Sequence, residues 1–326
     1  EYLAFQFPLT KKLGVSVGFK PVSYAGYRYG KVDSLKHLSG VTQSVYTGSG
    51  GLNKIYGTIS YQLHPRLAVG ANIGYLFGNV MHNSQNAPIV TGLESFYATK
   101  TDTLHSSRII YELGLQYIHS LEKNRNIVIG AVFSPKMNIN ATVNTGIIRV
   151  DPTSGIVQSN PEYATINDLK FELPETYGLG FTFNEKNKWT AGLDIQYLRW
   201  ASARFYNQTD TLSNQLKINL GGEYTPDYRS NNFFKRMRYR AGLNYADSYI
   251  KIAGKGYKEY SAALGFGIPM NDRRSFLNLT FDYTNLRPET ESVSAGKPST
   301  FMSEQYFKIT VSYTFNELWF FKRKVQ

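Results

Sequence analysis

Cysteine is absent from the 326 residues of the sequence. Its absence excludes disulfide bonds, thiolate catalysis and cysteine-ligated zinc sites. No stretch approaches the roughly 18 apolar residues of a membrane-spanning helix, which excludes that class of membrane protein. Histidine is scarce, and neither a His-x-His nor an HExxH spacing occurs among His37, His64, His82, His105 and His119. We therefore predict no metal site and no cofactor.

Catalytic motifs are lacking as well. His119 and Ser120 suggest the Ser-His pair of an outer-membrane hydrolase, but both lie at the periplasmic end of a strand, and neighbours on a strand point to opposite faces. The glycine-rich stretch GSGGLNK at 48–54 lacks the lysine spacing of a P-loop and fits a loop entering a strand. We predict that the protein is not an enzyme.

Aromatic residues and positive charge are abundant instead. The sequence contains 25 Tyr and 20 Phe, and its net charge is +12. Such a charge suits anionic lipid, anionic glycolipid or nucleic acid as a partner. Nucleic acid is disfavoured, because the aromatic residues alternate away from the polar face and do not line a basic groove.

Apolar and polar residues alternate with a period of two along most of the chain. Within 52–63, for example, Ile55, Ile59 and Tyr61 share one face while Thr58 and Ser60 share the other. We find no helical periodicity, so the pattern predicts an all-β chain. Thirteen strands are expected, near 1–9, 13–27, 51–63, 66–80, 104–119, 126–149, 170–184, 188–205, 211–225, 236–252, 256–269, 274–287 and 304–315.

The connections between these strands alternate in length. Short, charged turns such as Thr10–Lys12 and His64-Pro65 alternate with long loops predicted at 28–50, 81–103, 150–169 and 288–303. The alternation is imperfect, but short turns on one side and long loops on the other are typical of an outer-membrane barrel. Strands of ten or more residues also fit a tilted membrane crossing better than a soluble sandwich. We predict a transmembrane antiparallel up-and-down β-barrel in the outer membrane of a Gram-negative bacterium.

The C-terminal stretch predicts how the barrel ends. Alternate residues from Phe307 to Phe315 are expected to face lipid, with Lys308 to Thr314 facing the lumen. Beyond this strand, Leu318 to Phe321 are apolar and Lys322 to Lys324 are basic. We predict a barrel domain over 1–315 and an aromatic and basic periplasmic tail over 316–326. The tail would clamp the inner-leaflet interface, or alternatively dock a periplasmic partner.

An odd number of strands predicts a missing one. Bacterial single-chain barrels have an even number of strands, with both ends in the periplasm. Strand 1–9 runs toward a short turn and therefore begins outside, so we expect a first strand before Glu1 and about 14 strands in the intact barrel, of which 13 are visible.

Residues 168–200, DLKFELPETYGLGFTFNEKNKWTAGLDIQYLRW, resemble the long-chain fatty acid transporter (FadL-like) family of outer-membrane barrels. The resemblance lies in Leu173, Pro174, Gly178, Gly180, Lys188, Trp189, Asp194 and Trp200, with Ser134-Pro135 upstream and the strand 238–250 downstream. It implies a 14-stranded barrel, plugged by an N-terminal hatch, that passes hydrophobic molecules sideways into the membrane. The hatch has no counterpart in this sequence.

If the resemblance holds, the strand 13–27 corresponds to the one that is kinked in the family to open a lateral gate. It contains Pro21, which cannot donate to a β-ladder, and Gly26 lies nearby. We therefore name Pro21 and Gly26 as a candidate gate. Alternatively, Pro21 lies above the bilayer near a strand end, where it does not affect the wall.

Charged residues on the predicted lumen face form a candidate site. Asp194, Lys217, Arg238 and Arg240 all lie on that face, where a bare carboxylate must be paired or solvated. The group is either a structural network that fills the lumen or a ligand-binding site in which Arg238 or Arg240 anchors a carboxylate.

Two functions follow from this interpretation. The first is import of a hydrophobic compound across the outer membrane through a lateral opening. The alternative is a non-transporting accessory barrel of an outer-membrane secretion or protein-assembly complex, suggested by the basic tail and the long connection at 225–236. The expected partners are outer-membrane lipids and lipopolysaccharide, together with a hydrophobic small molecule or other subunits of such a complex, and no nucleic acid.

The outer basic residues placed to meet lipopolysaccharide phosphates are Arg28, Lys31, Lys36, Lys251, Lys255 and Lys258.

Overall fold

A computed structural model describes residues 3–34, 40–90, 97–122, 124–151, 154, 157, 162–205, 207–209, 212–251, 256–270, 275–289 and 303–314. Over these residues the chain forms one antiparallel sheet of sixteen strands. The strands are β1 (Leu3–Pro8), β2 (Leu13–Tyr24), β3 (Tyr27–Ser34), β4 (Gly40–His64), β5 (Leu67–Val90), β6 (Tyr97–Leu121), β7 (Arg125–Ser134), β8 (Met137–Val150), β9 (Glu162–Leu173), β10 (Thr176–Glu185), β11 (Trp189–Leu198), β12 (Gln215–Tyr224), β13 (Arg238–Asp247), β14 (Tyr257–Pro269), β15 (Phe276–Pro288) and β16 (Glu304–Thr314).

Helix is confined to a 3-10 turn at Trp200–Ser202 and the short helix α1 at Phe233–Arg236 within the described ranges. Neither is long and apolar enough to cross a membrane.

Thirteen of the described strands follow one another as hydrogen-bonded neighbours in chain order, from β1 and β2 through β4–β7 and β10–β16. The other three, β3, β8 and β9, lie off this path. The all-β, antiparallel, up-and-down architecture and the thirteen predicted wall strands are confirmed. The expected fourteenth strand stays a prediction.

The wall has an apolar outer face, as the period of two predicted. Ile73, Ile109, Leu264 and Phe307 are among the large apolar residues whose side chains are exposed on one face of the sheet. A water-soluble protein rarely exposes so continuous an apolar surface, whereas a lipid-facing wall requires one. On β16 this exposed face carries Phe307, Ile309, Val311 and Tyr313, as predicted.

Three strands are much longer than a membrane crossing, contrary to the predicted loops. The segments 28–50 and 81–103 were expected to be loops, but most of their residues belong to β3 and to the far ends of β4, β5 and β6. β4 has 25 residues, while about 9–11 suffice to cross the bilayer. The strands continue because antiparallel pairing satisfies the backbone in water as well as in lipid. Side chains join them across the sheet, as where the Tyr27 hydroxyl lies 2.8 Å from His82 Nδ1.

Two prolines divide strands that were predicted to be continuous. The predicted strand 126–149 is broken after Ser134, and 170–184 is broken after Leu173, because Pro135 and Pro174 cannot donate to a ladder. The breaks lie side by side, since Ser134 pairs with Thr176 below them and Met137 pairs with Leu173 above them. Each break also reverses the alternation: the lumen-facing residues are even-numbered in β7 and β10, and odd-numbered in β8 and in the part of β9 beside the break, at Phe171 and Leu173.

The reversed alternation brings apolar side chains of β8 and β9 to the lumen side of the wall. One buried group joins residues of the lumen faces of β5, β6, β8 and β9, and we call it the apolar lumen cluster: Leu76, Ile110, Met137, Ile139, Ala141 and Phe171. Each of these side chains is 0–8% exposed. At this part of the upper interior, the wall's own residues therefore pack against one another.

The predicted tail at 316–326 and Phe315 lie outside the described residues. The division into a barrel domain over 1–315 and a tail stays a prediction.

Replacing Leu76 by alanine will test the role of the apolar lumen cluster. Leu76→Ala should lower the free energy of unfolding by about 2–5 kcal/mol, because the cavity would open inside a packed group. Ile73→Ala, three residues away on the lipid-facing side where Ile73 is 61% exposed, should cost clearly less. Urea unfolding from lipid vesicles measures both variants. Equal losses would show that the upper lumen is not packed as described.

Candidate functional site

The lower lumen contains a network of charged and amide side chains centred on Glu223. Its carboxylate accepts a hydrogen bond from Arg240 Nε at 2.7 Å, and the other oxygen lies 3.8 Å from Arg238 Nη1. Arg240 Nη1 donates to Asn278 Oδ1 at 2.8 Å, and Asn278 Nδ2 donates to Thr314 Oγ1 at 2.9 Å. The network thus crosses the interior face from β12 to β16.

Strand register explains why these groups meet. Glu223 on β12 lies directly opposite Arg240 on β13, and both side chains face the lumen. On the next strand, glycines leave room for the two arginines: a Cβ at Gly267 would lie 3.0 Å from Arg238 Cβ, and one at Gly265 would lie 3.3 Å from Arg240 Cβ. The arginine stems can therefore lie flat against β14.

Arg238 has a second partner. Its guanidinium carbon lies 3.9 Å from the ring centroid of Phe276, a cation–π contact. A cavity of about 450 Å³ adjoins it at the end of the barrel with the short turns, lined in part by Thr190, Glu223 and Tyr228. One guanidinium face is thus held by an aromatic ring beside a polar cavity.

The other two predicted site residues are not part of this network. Asp194 faces the lumen opposite Asn219, and Lys217 is its diagonal neighbour on β12. Within the described residues neither makes an ion pair, and Asp194 Oδ1 instead lies above Gly180, where a Cβ would be 2.6 Å away. A ligand-binding role for these residues stays a prediction.

Glu223 is the acid that sequence reasoning did not single out. The period of two places it on the lumen face together with the arginines. However, alternation along a strand says nothing about which residues face each other across strands. Only the register selects Glu223 over Asp194 as the partner of Arg238 and Arg240.

The predicted gate residues lie at a bulge in a paired part of the wall. The β2–β4 register shifts between Pro21 and Ser23, and pairing then resumes at Ser23 with Leu52. Gly26 separates β2 from β3 and lies against the ring of Tyr24. A lateral opening at Pro21 and Gly26 stays a prediction.

The ladder is interrupted at a different place. β6 pairs with β7 over its lower part and with β8 over its upper part, and Ser107–Glu112 between them pairs only with β5. Side chains compensate at this point: Ser134 Oγ donates to the carbonyl of Tyr111 at 3.2 Å, and the Tyr111 N–H donates to Met137 Sδ at 3.4 Å. We call this interruption the wall gap.

The wall gap adjoins the interior apolar residues. Ile110 lies within the unpaired segment, and Met137 begins the strand above Pro135, so both line the gap and belong to the apolar lumen cluster. The sequence shows the Ser134-Pro135 dipeptide but does not predict how long the interruption is. Its length depends on where β6 stops pairing with β7 and starts pairing with β8.

A wall of lipid-facing apolar and aromatic residues around a polar lower lumen and an apolar upper lumen defines an outer-membrane β-barrel of FadL-like fold. The structure is similar to the CymD monoaromatic hydrocarbon channel, with a TM-score of 0.58 and 14% identity over 96% of this chain and 81% of that one. It is similar to the toluene transporter TodX of Pseudomonas putida, with a TM-score of 0.56 and 16% identity over the same shares of 96% and 81%. A FadL homologue of Pseudomonas aeruginosa matches with a TM-score of 0.52 and 11% identity over 88% of this chain and 70% of that one.

These similarities confirm the predicted FadL-like fold, and at such identities they show the fold alone. The family itself follows from the sequence: the BamG family model matches residues 1–326. The chain belongs to the BamG family. Comparison with curated proteins gives no significant match.

Neutralising Glu223 will test the lumen network. Glu223→Gln should lower the free energy of unfolding by about 1–3 kcal/mol, because it leaves two partly buried guanidinium groups without their shared carboxylate. Asp194→Asn, the matched change at a lumen carboxylate without an ion pair in the described structure, should change stability by no more than about 0.5 kcal/mol. Urea unfolding from vesicles reports both, and the network assignment fails if Asp194→Asn costs as much as Glu223→Gln.

Proposed function

We propose that this BamG-family barrel is a non-transporting accessory subunit of an outer-membrane secretion or protein-assembly complex in a Gram-negative bacterium. The observation that carries the proposal is that lumen-facing residues are engaged with one another. The apolar lumen cluster packs side chains of β5, β6, β8 and β9 together, and the Glu223 network joins the lumen faces of β12 to β16. Residues that would line a transport route are thus used to stabilise the barrel.

The fold and the family support different aspects of the proposal. The fold is that of outer-membrane hydrocarbon transporters, which favours an outer-membrane location and a function without catalysis. The family that matches the whole chain is BamG, a different family by name. A shared barrel fold does not imply a shared function, because function depends on the site that the fold carries.

The connection between β12 and β13 supplies a surface for a partner at the periplasmic end. It exposes Phe233 and Phe234 on α1, of which Phe234 is 67% exposed. Asn232 Oδ1 accepts a hydrogen bond from the Phe234 N–H at 3.0 Å, and the Tyr239 hydroxyl donates to the Phe234 carbonyl at 3.0 Å. The backbone that carries the two rings is therefore held in place before a partner arrives, which lowers the entropic cost of binding.

The composition of this connection also suits a protein interface. Tyr228 is exposed on the same segment, and Arg229 stacks on its ring at 5.1 Å. Aromatic and arginine side chains are enriched among the residues that dominate binding energy at protein interfaces. We name Phe233 and Phe234 as the centre of the expected contact with another subunit.

Site-specific photocross-linking tests the accessory role. A photoreactive phenylalanine analogue at position 234 should cross-link in intact cells to one defined outer-membrane protein, and Phe233→Ala in the same chain should reduce the yield at least fivefold. The matched control carries the analogue at Phe7, an exposed aromatic beside the turn at Thr10–Lys12, and should give no such product. Absence of a defined product at position 234, or the same product from position 7, would refute the proposal.

The second candidate is transport of a hydrophobic compound across the outer membrane. It is favoured by the wall gap, where Ile110 and Met137 bring apolar interior surface to an interruption of the wall. A compound bound in the upper lumen would leave sideways through this gap or at the predicted gate near Pro21 and Gly26. Movement of the β8–β9 pair away from Leu76 would be required, because the cluster is closed in this conformation.

Uptake measurements separate the two functions. If the barrel transports, cells that lack the chain should take up labelled toluene or a labelled long-chain fatty acid several-fold more slowly than complemented cells. Ala141→Phe, which adds a ring to the closed cluster, should then reduce uptake, while Ala71→Phe on the lipid-facing side should leave it unchanged. Identical uptake in deleted and complemented cells would rule out transport of these compounds and leave the accessory role standing.

A further inference from the structure

A groove lies on the lipid-facing side of the wall, where β12 to β15 approach the ends remote from the short turns. Its volume is about 710 Å³, which is within the range of pockets that hold small ligands. The groove follows cross-strand rows of β13, β14 and β15, which are, from the middle of the strands outward, Leu243–Ala262–Tyr283, Tyr245–Tyr260–Asn285 and Asp247–Lys258–Arg287. In the outermost row, it is Arg287 that lines the groove.

The shape of the groove follows from the first row. Ala262 is the small residue between Leu243 and Tyr283, so the wall is depressed at the central strand. Successive rows on one face are two residues apart, or about 7 Å. Along the strands, the surface therefore changes from aliphatic to phenolic and then to charged. The distance involved is comparable to the headgroup and adjoining acyl region of one lipid molecule.

The charged row leaves one cation available. Lys258 Nζ lies 3.5 Å from Glu289, and Asp247 accepts a hydrogen bond from the Tyr245 hydroxyl at 2.6 Å. Arg287 Nε donates to Asn285 Oδ1 at 3.1 Å, which orients its guanidinium. Its two terminal amino groups have no polar partner in the part of the chain that the structure describes, and the side chain is exposed.

We propose that this groove binds a phosphorylated glycolipid of the outer leaflet. One acyl chain lies over Ala262, and a headgroup phosphate accepts hydrogen bonds from the two free amino groups of Arg287. The fork of a guanidinium matches phosphate oxygens bidentately, which a lysine cannot do. An outer-leaflet lipid fits because Arg287 lies at the strand ends opposite the short turns, which are periplasmic in this class of barrel.

The groove is independent of the proposed accessory role, because it lies on the lipid-facing wall and not at the periplasmic connection. A lipid seated there would report on neither the Phe233 and Phe234 surface nor the wall gap. Its test therefore stands even if both functional proposals fail.

The experiment measures lipid retention by the full-length barrel. The purified chain is reconstituted with lipid A, with lipid A from which the phosphates have been removed, or with phosphatidylglycerol, and native mass spectrometry gives the ratio of lipid-bound to free protein. The wild type should retain lipid A at least fivefold more strongly than either other lipid. Arg287→Gln and Ala262→Leu, which removes the depression, should each reduce retention of lipid A at least fivefold.

Matched variants separate this site from general charge and wall effects. Arg66→Gln removes an exposed cation of the short turn between β4 and β5, and Ala71→Leu fills a lipid-facing alanine that lies between Ile59 and Leu113 on a different part of the wall. Both should retain lipid A as the wild type does, and heat-modifiable gel mobility confirms that every variant is folded. Equal retention in Arg287→Gln and wild type, or equal retention of the dephosphorylated lipid or of phosphatidylglycerol, would overturn the proposal.

Discussion

Every backbone N–H and C=O group inside a bilayer needs a hydrogen-bond partner from the protein itself, and the rest of this structure depends on that constraint. The wall satisfies it along a path of thirteen strands from β1 to β16, in which each strand pairs with the next strand of the path. Pairing of this kind places successive side chains on opposite faces, so the lipid-facing aromatics and the lumen-facing charges are two results of one ladder. Where the ladder of β6 is interrupted, Ser134 and Met137 side chains bond the free backbone of Tyr111.

The two prolines interrupt the ladder, and this interruption determines which side chains face the interior. Pro135 and Pro174 cannot donate to the ladder, and because they lie side by side, β8 and β9 resume together with the opposite face toward the lumen. That reversal turns Met137 and Phe171 inward onto the lumen faces of β5 and β6. A local defect in pairing thus produces both the apolar lumen cluster and the wall gap beside it.

The barrel fold alone does not specify the contacts that the side chains make inside the lumen. The likeness to hydrocarbon channels lies in the wall, at identities of 14–16% for CymD and TodX, while the family is BamG over all 326 residues. Within the lumen, Glu223 pairs with Arg240 and Arg238 and so joins β12 to β13, while a ligand-binding role of these charges stays a prediction. We propose surfaces outside the lumen, at Phe234 and Arg287, as the places where partners bind.

The sequence by itself determined the fold class, the thirteen wall strands and the faces of residues such as Ile109 and Phe307, because alternation and turn signals act between near neighbours. It did not determine that 28–50 and 81–103 continue as strands, since the same alternation occurs whether a ladder lies in lipid or in water. Only the tertiary structure decided that Glu223, and not Asp194, pairs with the arginines and that the two prolines meet. These are matters of register between strands, and register joins residues far apart in the chain that no local pattern specifies.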